Sequence, residues 1–274
     1  MSERAARVGR LAAEALRVEA RLTPKPGLVD AVSVGAHRDM DLDLLLTSAD
    51  ALEPAFIEMA QFGQRPGWSV ADLQNLGRRA ELVMSAATGG VNTHRGAIFC
   101  LGWLSAVAAE TSAPDIEGIC LRVGRIVTQL LQEWRAVVPA TGLTHGEQVF
   151  VTTGLTGARG EAASGFASVR THALPAMRQA LQRGWTKDEA LLAALLQLMA
   201  INDDTNLITR GGIDALRSVR AWAAQLGASD PDPSALISAL TQADDWFIAN
   251  WWSPGGSADL LAVTWFLKES SDRR

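Results

Sequence analysis

Cysteine is almost absent from this chain. Cys100 and Cys120 are the only two in 274 residues. They have no CxxC spacing and the chain is no small disulfide scaffold, so the sequence points to a reducing cytoplasm and to core positions for both. Histidine is scarce too, with only His37, His94, His145 and His172, which argues against a multi-histidine metal centre. HExxH and GxSxG are missing, which weakens zinc-protease and serine-hydrolase readings. No GxxxxGK[ST] occurs and no GxGxxG opens a helix after a strand, so neither a P-loop nor a Rossmann nucleotide site is supported. Tyrosine is missing altogether against nine tryptophans, an imbalance to which the sequence attaches no function.

A basic surplus is missing as well. The net charge of −5 excludes a broad basic surface for nucleic acid but leaves room for a local pocket that takes a small anion. No apolar run is long enough to span a bilayer, and the longest candidate, around Ala190 to Ile201, is broken by Gln197. The opening stretch MSERAARVGRLAAEALRVEA lacks an apolar targeting segment and reads as an amphipathic helix with Leu11, Ala15 and Val18 on one face. The expectation is a cytoplasmic protein with neither membrane nor nucleic-acid partners.

What the sequence does contain is helical periodicity. Apolar residues make up 48% and charged ones 20%, ample for a core. Helical spacing runs through Leu42 to Met59, with Pro54 as a kink or the first turn of a second piece. It resumes after Ser69 and Asp72, through Ile98 to Ala108, and from about Asp115 to Trp134. Pro139 to Gly160 is the least regular region, with a short strand at Val149 to Thr152. Thr186 and Glu189 form a capping box before Leu191 to Met199, a helix buried nearly all round, and three more helices close the chain. Strand alternation is nearly absent, so residues 1–274 read as a single all-α domain, a multi-helix bundle with its site formed by loops at helix ends.

Charge gathers in those loops. TPKPGLVDAVSVGAHRDM, Thr23 to Met40, packs Lys25, Asp30, His37, Arg38 and Asp39 among prolines and glycines that forbid an uninterrupted helix. It reads as a rigid site wall or equally as a proline-glycine connector. GGVNTHRGAIF brings Asn92, Thr93, His94 and Arg95 to a helix start, where an anion meets free backbone N–H groups and where Asn92 or Thr93 can cap. GARGEAASGF places Arg159 and Glu161 before a helix whose Ala162 and Gly165 permit close packing. INDDTNLITRGG sets Asn202, Asp203, Asp204, Asn206 and Arg210 at the end of the buried helix. Acids there are costly unless they meet a metal, a base or a polar ligand, or cap the next helix. In NWWSPGGSADLLA, Ser253 and Ser257 suit phosphate oxygens and Asp259 a cation or a hydroxyl.

In this order, TPKPGLVD with GAHRDM, GGVNTHRGAIF, GARGEAASGF, DTNLITRGG and SPGGSADLLA resemble the triphosphoribosyl-dephospho-CoA synthase family. Those enzymes make the prosthetic-group precursor for the acyl carrier subunits of citrate lyase and malonate decarboxylase. Thr209 departs from the pattern, which has histidine more often before Arg-Gly-Gly. The resemblance implies a transferase whose substrates are ATP and 3′-dephospho-CoA: the dephospho-CoA 2′-hydroxyl attacks C1′ of the ATP ribose and adenine leaves. It also implies a downstream prosthetic-group transferase and acyl carrier protein, here with a lean to malonate decarboxylase from DMDLDLLL after GAHR and from the alanine and arginine usage. Asp39 and Asp204, then Asp203, Asp30 and His37, are the expected catalytic groups. Lys25, Arg38, Asn92, Thr93, His94, Arg95, Arg159, Glu161, Asn206, Arg210, Ser253 and Ser257 are expected to bind substrate. Magnesium, the expected cofactor, goes to Asp39, Asp204 and Asp259, since oxygen ligands and a triphosphate suit it. A magnesium-dependent nucleosidase and a non-catalytic binder of the coenzyme precursor are the rival readings.

Overall fold

The computed structural model describes residues 2–110, 115–137, 143 and 145–272. Among them are twelve α-helices, a π turn at Val169–Ala173 and no strand. In order the helices are α1 (Glu3–Arg21), α2 (Leu42–Gly63), α3 (Val70–Ala87), α4 (Arg95–Ala109), α5 (Ile116–Val137) and α6 (His145–Thr153). They continue with α7 (Gly157–Ala163), α8 (Leu174–Gln182), α9 (Lys187–Ile201), α10 (Thr205–Ala228), α11 (Pro233–Ala249) and α12 (Gly255–Asp272). No described helix is long and apolar enough to cross a membrane.

Helix α4 sits at the centre, buried along nearly its whole length from Ala97 to Ala109, with α2, α12, α1 and α5 packed around it. Such a helix has no polar face because it meets protein on all sides, and truncating Leu101 or Leu104 to alanine would cost about 2–5 kcal/mol. The α1–α2 pair packs so closely that a Cβ on Gly9 would stand 2.4 Å from the Ile57 backbone nitrogen. Helix α9 is the second buried element; its capping box at Thr186 and Glu189 is formed as the sequence predicts. Helices α8, α10, α11 and α12 pack against it, and one continuous apolar core runs from Ala5 to Leu267.

Three local expectations are corrected. Pro54 lies inside an uninterrupted α2: the carbonyl deprived of its helical partner is that of exposed Asp50, where water can serve it. Val149 to Thr152 form part of α6, not a strand; Thr152 and Thr153 donate their hydroxyls back to the carbonyls of Gln148 and Val149, which accommodates branched side chains in a helix. Arg159 and Glu161 lie within α7 rather than before a helix. The irregular segment expected from Pro139 onward falls partly outside the described residues.

The tryptophans find a structural place. Trp222, Trp246 and Trp252 cluster edge-on around Phe247, with ring centroids 5.1–6.4 Å apart. The Trp252 indole nitrogen presses on Gly211, where a Cβ would stand 2.3 Å away, and the next residue, Gly212, takes a positive φ of 71° that breaks α10 after its second turn. The pair of glycines thus lets Arg210 leave the helix line and face the Thr23–Met40 loop.

Candidate active site

Three helices begin at the wall of one cleft: Arg95 of α4, Asn206 of α10 and Gly255 of α12 all line it. Backbone N–H groups in a first helical turn have no partner within the helix and carry partial positive charge, so they attract anionic acceptors, and here Asn92, Asp204 and Asp259 already take several of them. Arg95 and Arg210 add two guanidinium groups to the same cleft.

Asp204 joins two of these helix starts. Its Oδ1 accepts the N–H groups of Asn206, Leu207 and Gly256 at 3.0, 3.3 and 3.2 Å, and its Oδ2 accepts the Ser257 N–H and hydroxyl at 2.7 and 2.9 Å. Burial raises its pKa in spite of these donors. Both oxygens are occupied within the protein, and the Ser257 hydroxyl with them, so the pair holds α10 and α12 in register.

Asp259, on the second turn of α12, lines the cleft and accepts the Ala97 N–H of α4. Burial, then the negative charges of Glu19 and Asp204, push its pKa well above the ordinary carboxylate range. Glu19 lines the cleft from α1, and its carboxylate is 2.5 Å from the Lys25 ammonium. Lys25 is fully buried and also donates to the Glu19 carbonyl; its charge is answered inside the protein.

His94 precedes α4 and is buried. Its Nδ1 is 2.8 Å from the Ser48 hydroxyl, which in turn accepts the Thr93 hydroxyl at 2.7 Å. A Ser48 hydroxyl that donates to Nδ1 leaves the proton of the neutral ring on Nε2. Among the described residues Nε2 has no hydrogen-bond partner. Burial, then the charge of Lys25, lower the His94 pKa to about 3, so the ring is neutral at working pH.

His37 and Arg210 close the opposite side. An Arg210 amino group is 3.2 Å from His37 Nδ1, while Nε2 is 2.9 Å from the Ser253 hydroxyl. Arg210 also donates to the carbonyls of Ala36 and Trp251, which ties the Thr23–Met40 loop to the α11–α12 turn. Burial and the neighbouring guanidinium lower the His37 pKa to about 4, against the weaker opposing pull of Asp39.

The remaining sequence-predicted residues lie elsewhere. Asp30 accepts the N–H groups of Lys25, Val32 and Ser33 and shapes its own loop. Asp39 and Arg38 are exposed outside the cleft lining, Asp39 3.7 Å from His37 Nδ1 and Arg38 over the Trp251 ring. Asp203 pairs with Arg220 at 2.8 Å. Glu161 is hydrogen-bonded to Ser168 below α7, and Arg159 stacks on Trp134 in a separate cavity. Asp39, Asp204 and Asp259 therefore do not share one ligand set, and no group of three or more metal-ligating side chains occurs among the described residues. What the cleft does offer is two carboxylates, Glu19, which is paired with the buried Lys25, and Asp259, and neither forms a ligand set for magnesium with its neighbours among the described residues.

Sequence reasoning missed Glu19, Ser48 and Gly96. Glu19 carries a signal, since it stands four residues after Ala15 and eight after Leu11, on the apolar face of its helix, where a lone acid demands a partner. Ser48 carries none, as serine within a helix is unremarkable.

A family model described as ATP:dephospho-CoA triphosphoribosyl transferase (CitG) matches residues 5–274. A protein of Vibrio cholerae serotype O1 (strain M66-2) named "Probable 2-(5''-triphosphoribosyl)-3'-dephosphocoenzyme-A synthase" is 42% identical over 273 residues, covering 96% of this chain and 87% of its own length. The "2-(5''-triphosphoribosyl)-3'-dephosphocoenzyme-A synthase" of Pectobacterium atrosepticum is 44% identical over 264 residues, 93% of this chain and 86% of that protein. A "Probable" synthase of the same name from Salmonella gallinarum is 45% identical over 269 residues, with shares of 94% and 88%. No solved structure gives a significant match. The match spans every stretch that builds the cleft, and the chain belongs to the ATP:dephospho-CoA triphosphoribosyl transferase family.

Proposed function

We propose that residues 1–274 act as one catalytic domain that transfers the triphosphoribosyl group of ATP to the 2′-hydroxyl of 3′-dephospho-CoA. The O2′–C1′ bond forms and the C1′–N9 bond breaks; adenine leaves with the electron pair and takes up a proton, while O2′ gives one up. The observation that carries this reading is the convergence of three helix N-termini with Arg95 and Arg210 on a cleft that also holds two carboxylates. That combination suits a substrate with a polyanionic tail and a reacting centre that becomes cationic.

The triphosphate is held by Arg95 and Arg210, beside the starts of α4, α10 and α12. Asp259, whose proton affinity is raised, takes the proton of the attacking hydroxyl, a task for which a raised carboxylate pKa is suited. Magnesium would come to the cleft with the triphosphate, where the ion would supply charge neutralisation. His94 offers its Nε2–H as a neutral hydrogen-bond donor to the departing base. Asp204 acts by position, keeping two helix starts together, and Asp39, Asp30 and Asp203 serve the surrounding structure. The product is proposed to pass to a prosthetic-group transferase and an acyl carrier protein, of malonate decarboxylase on the reading of Asp39 to Leu46.

Incubation with ATP and magnesium, with and without dephospho-CoA, followed by detection of free adenine, tests the reading. Adenine is expected only when both substrates are present. Release from ATP alone would mark a nucleosidase, and no release at all a binder.

A further inference from the structure

A second cavity opens between α3, α4 and α5. Helix α4 serves both cavities: Arg95 and Gly96 line the first cleft, while Ile98, Phe99 and Trp103 line this one. The two meet at an ion pair, Arg95 Nε to Glu81 Oε2 at 3.1 Å, with Glu81 in the second lining. The floor is apolar, built by residues such as Leu73, Ile98 and Leu130, and polarity is confined to Arg78, Arg159, Glu81, Glu147 and Gln74.

We propose that this cavity holds the acceptor's apolar arm, the flexible aliphatic amide chain of the dephospho-CoA pantetheine; Arg159, paired with Glu147 at 3.4 Å, belongs to its wall. The assignment rests on the transferase reading above. That reaction joins two substrates, and the cleft at the helix starts is occupied by the ATP triphosphate and ribose, so the acceptor must enter from an adjoining space. A planar base is the poorer occupant of this cavity. The Trp134 ring is already covered by the Arg159 guanidinium at 4.4 Å and by Phe150 at 4.6 Å, and Trp103 is engaged by Phe99 and Trp68, each at 6.3 Å. The surface left over is aliphatic, with amide-compatible polarity at Gln74.

Gly77 supplies the test. It lines the cavity from α3, and a Cβ built on it meets nothing within 4 Å, so a side chain there starts out into open space. Gly77→Leu is expected to weaken dephospho-CoA binding, read by calorimetry, at least tenfold, while ATP binding and melting temperature stay within error of wild type. ADP, which lacks the arm, is expected to be a much poorer acceptor than dephospho-CoA for wild type, and the two should become alike for the variant. Unchanged dephospho-CoA affinity in a folded Gly77→Leu protein overturns the assignment; should leucine lower the melting temperature, Gly77→Ala carries the same comparison. Failure of the transferase reading shows separately, as wild-type protein that releases no adenine with both substrates present.

Discussion

A Cβ placed on Gly96 would stand 2.1 Å from Asp259 Oδ2. The start of α4 and the second turn of α12 therefore touch through a residue without a side chain, and the Asp259 carboxylate lies in the space that any other residue would fill. Gly96→Ala must push that carboxylate aside. Overpacking of this kind costs about 1–3 kcal/mol, and the expected outcome is a folded protein whose kcat for adenine release falls at least tenfold with little change in ATP affinity. Steady-state kinetics beside a melting curve decide it; wild-type turnover would show that the position of Asp259 does not matter.

Asp259 should also govern stability against pH. Its pKa is raised in the native state, so folding binds this proton more tightly than the unfolded chain does. The stabilisation is complete below the ordinary carboxylate range and is lost as pH rises through the raised native value. Asp259→Asn removes the dependence. The variant is expected to melt above wild type at pH 8, by an amount that shrinks as pH falls toward about 4, and to lose transferase activity. A melting difference that stays constant with pH would refute the assignment. Each tenfold rise in proton affinity on folding is worth about 1.4 kcal/mol.

Ser48→Ala removes the hydroxyl that addresses His94 Nδ1. The neutral ring then has no partner to fix its tautomer. With four histidines in the chain, the ¹⁵N spectrum of histidine-labelled protein is simple enough to follow the change: wild type should show one nitrogen protonated and one not, and the variant an averaged pair. Adenine release is expected to slow about tenfold, within the range of a lost proton-transfer or donor contribution. An unaltered His94 signal would mean that Ser48 does not set the tautomer.

Arg210→Lys keeps the charge but not the fork that serves Ala36, Trp251 and His37 together. ATP affinity is expected to fall about tenfold, equivalent to about 1.4 kcal/mol, and the 31–41 loop should become more readily cut by protease. If only the affinity changes, Arg210 acts on the nucleotide alone and the loop is held by other contacts.

Much of this could be read from the chain because helix ends announce themselves. Prolines and glycines stop helices, and Asp, Asn and Ser begin them, so the loops bearing Asn92, Asn206 and Ser253 could be named before their convergence was seen. Roles inside the loops could not be read, since an acid that caps and an acid that reacts have the same letter. Asp204 illustrates this: its burial was foreseeable, yet only geometry shows both oxygens turned to helix starts. Arg159 shows the converse, a loop that matches the family pattern in order but lines a different cavity. Glu19 lay within an amphipathic helix read only for its apolar face.

The cleft's lining begins at Glu19 and ends at Asp259, so it draws on both the first helix and the last. During synthesis the early helices can pair as they emerge, α1 with α2 and both with α4. The wall that holds nucleotide, however, is incomplete until α12 has left the ribosome. Chains that stop before α12 then have no assembled site with which to spend ATP.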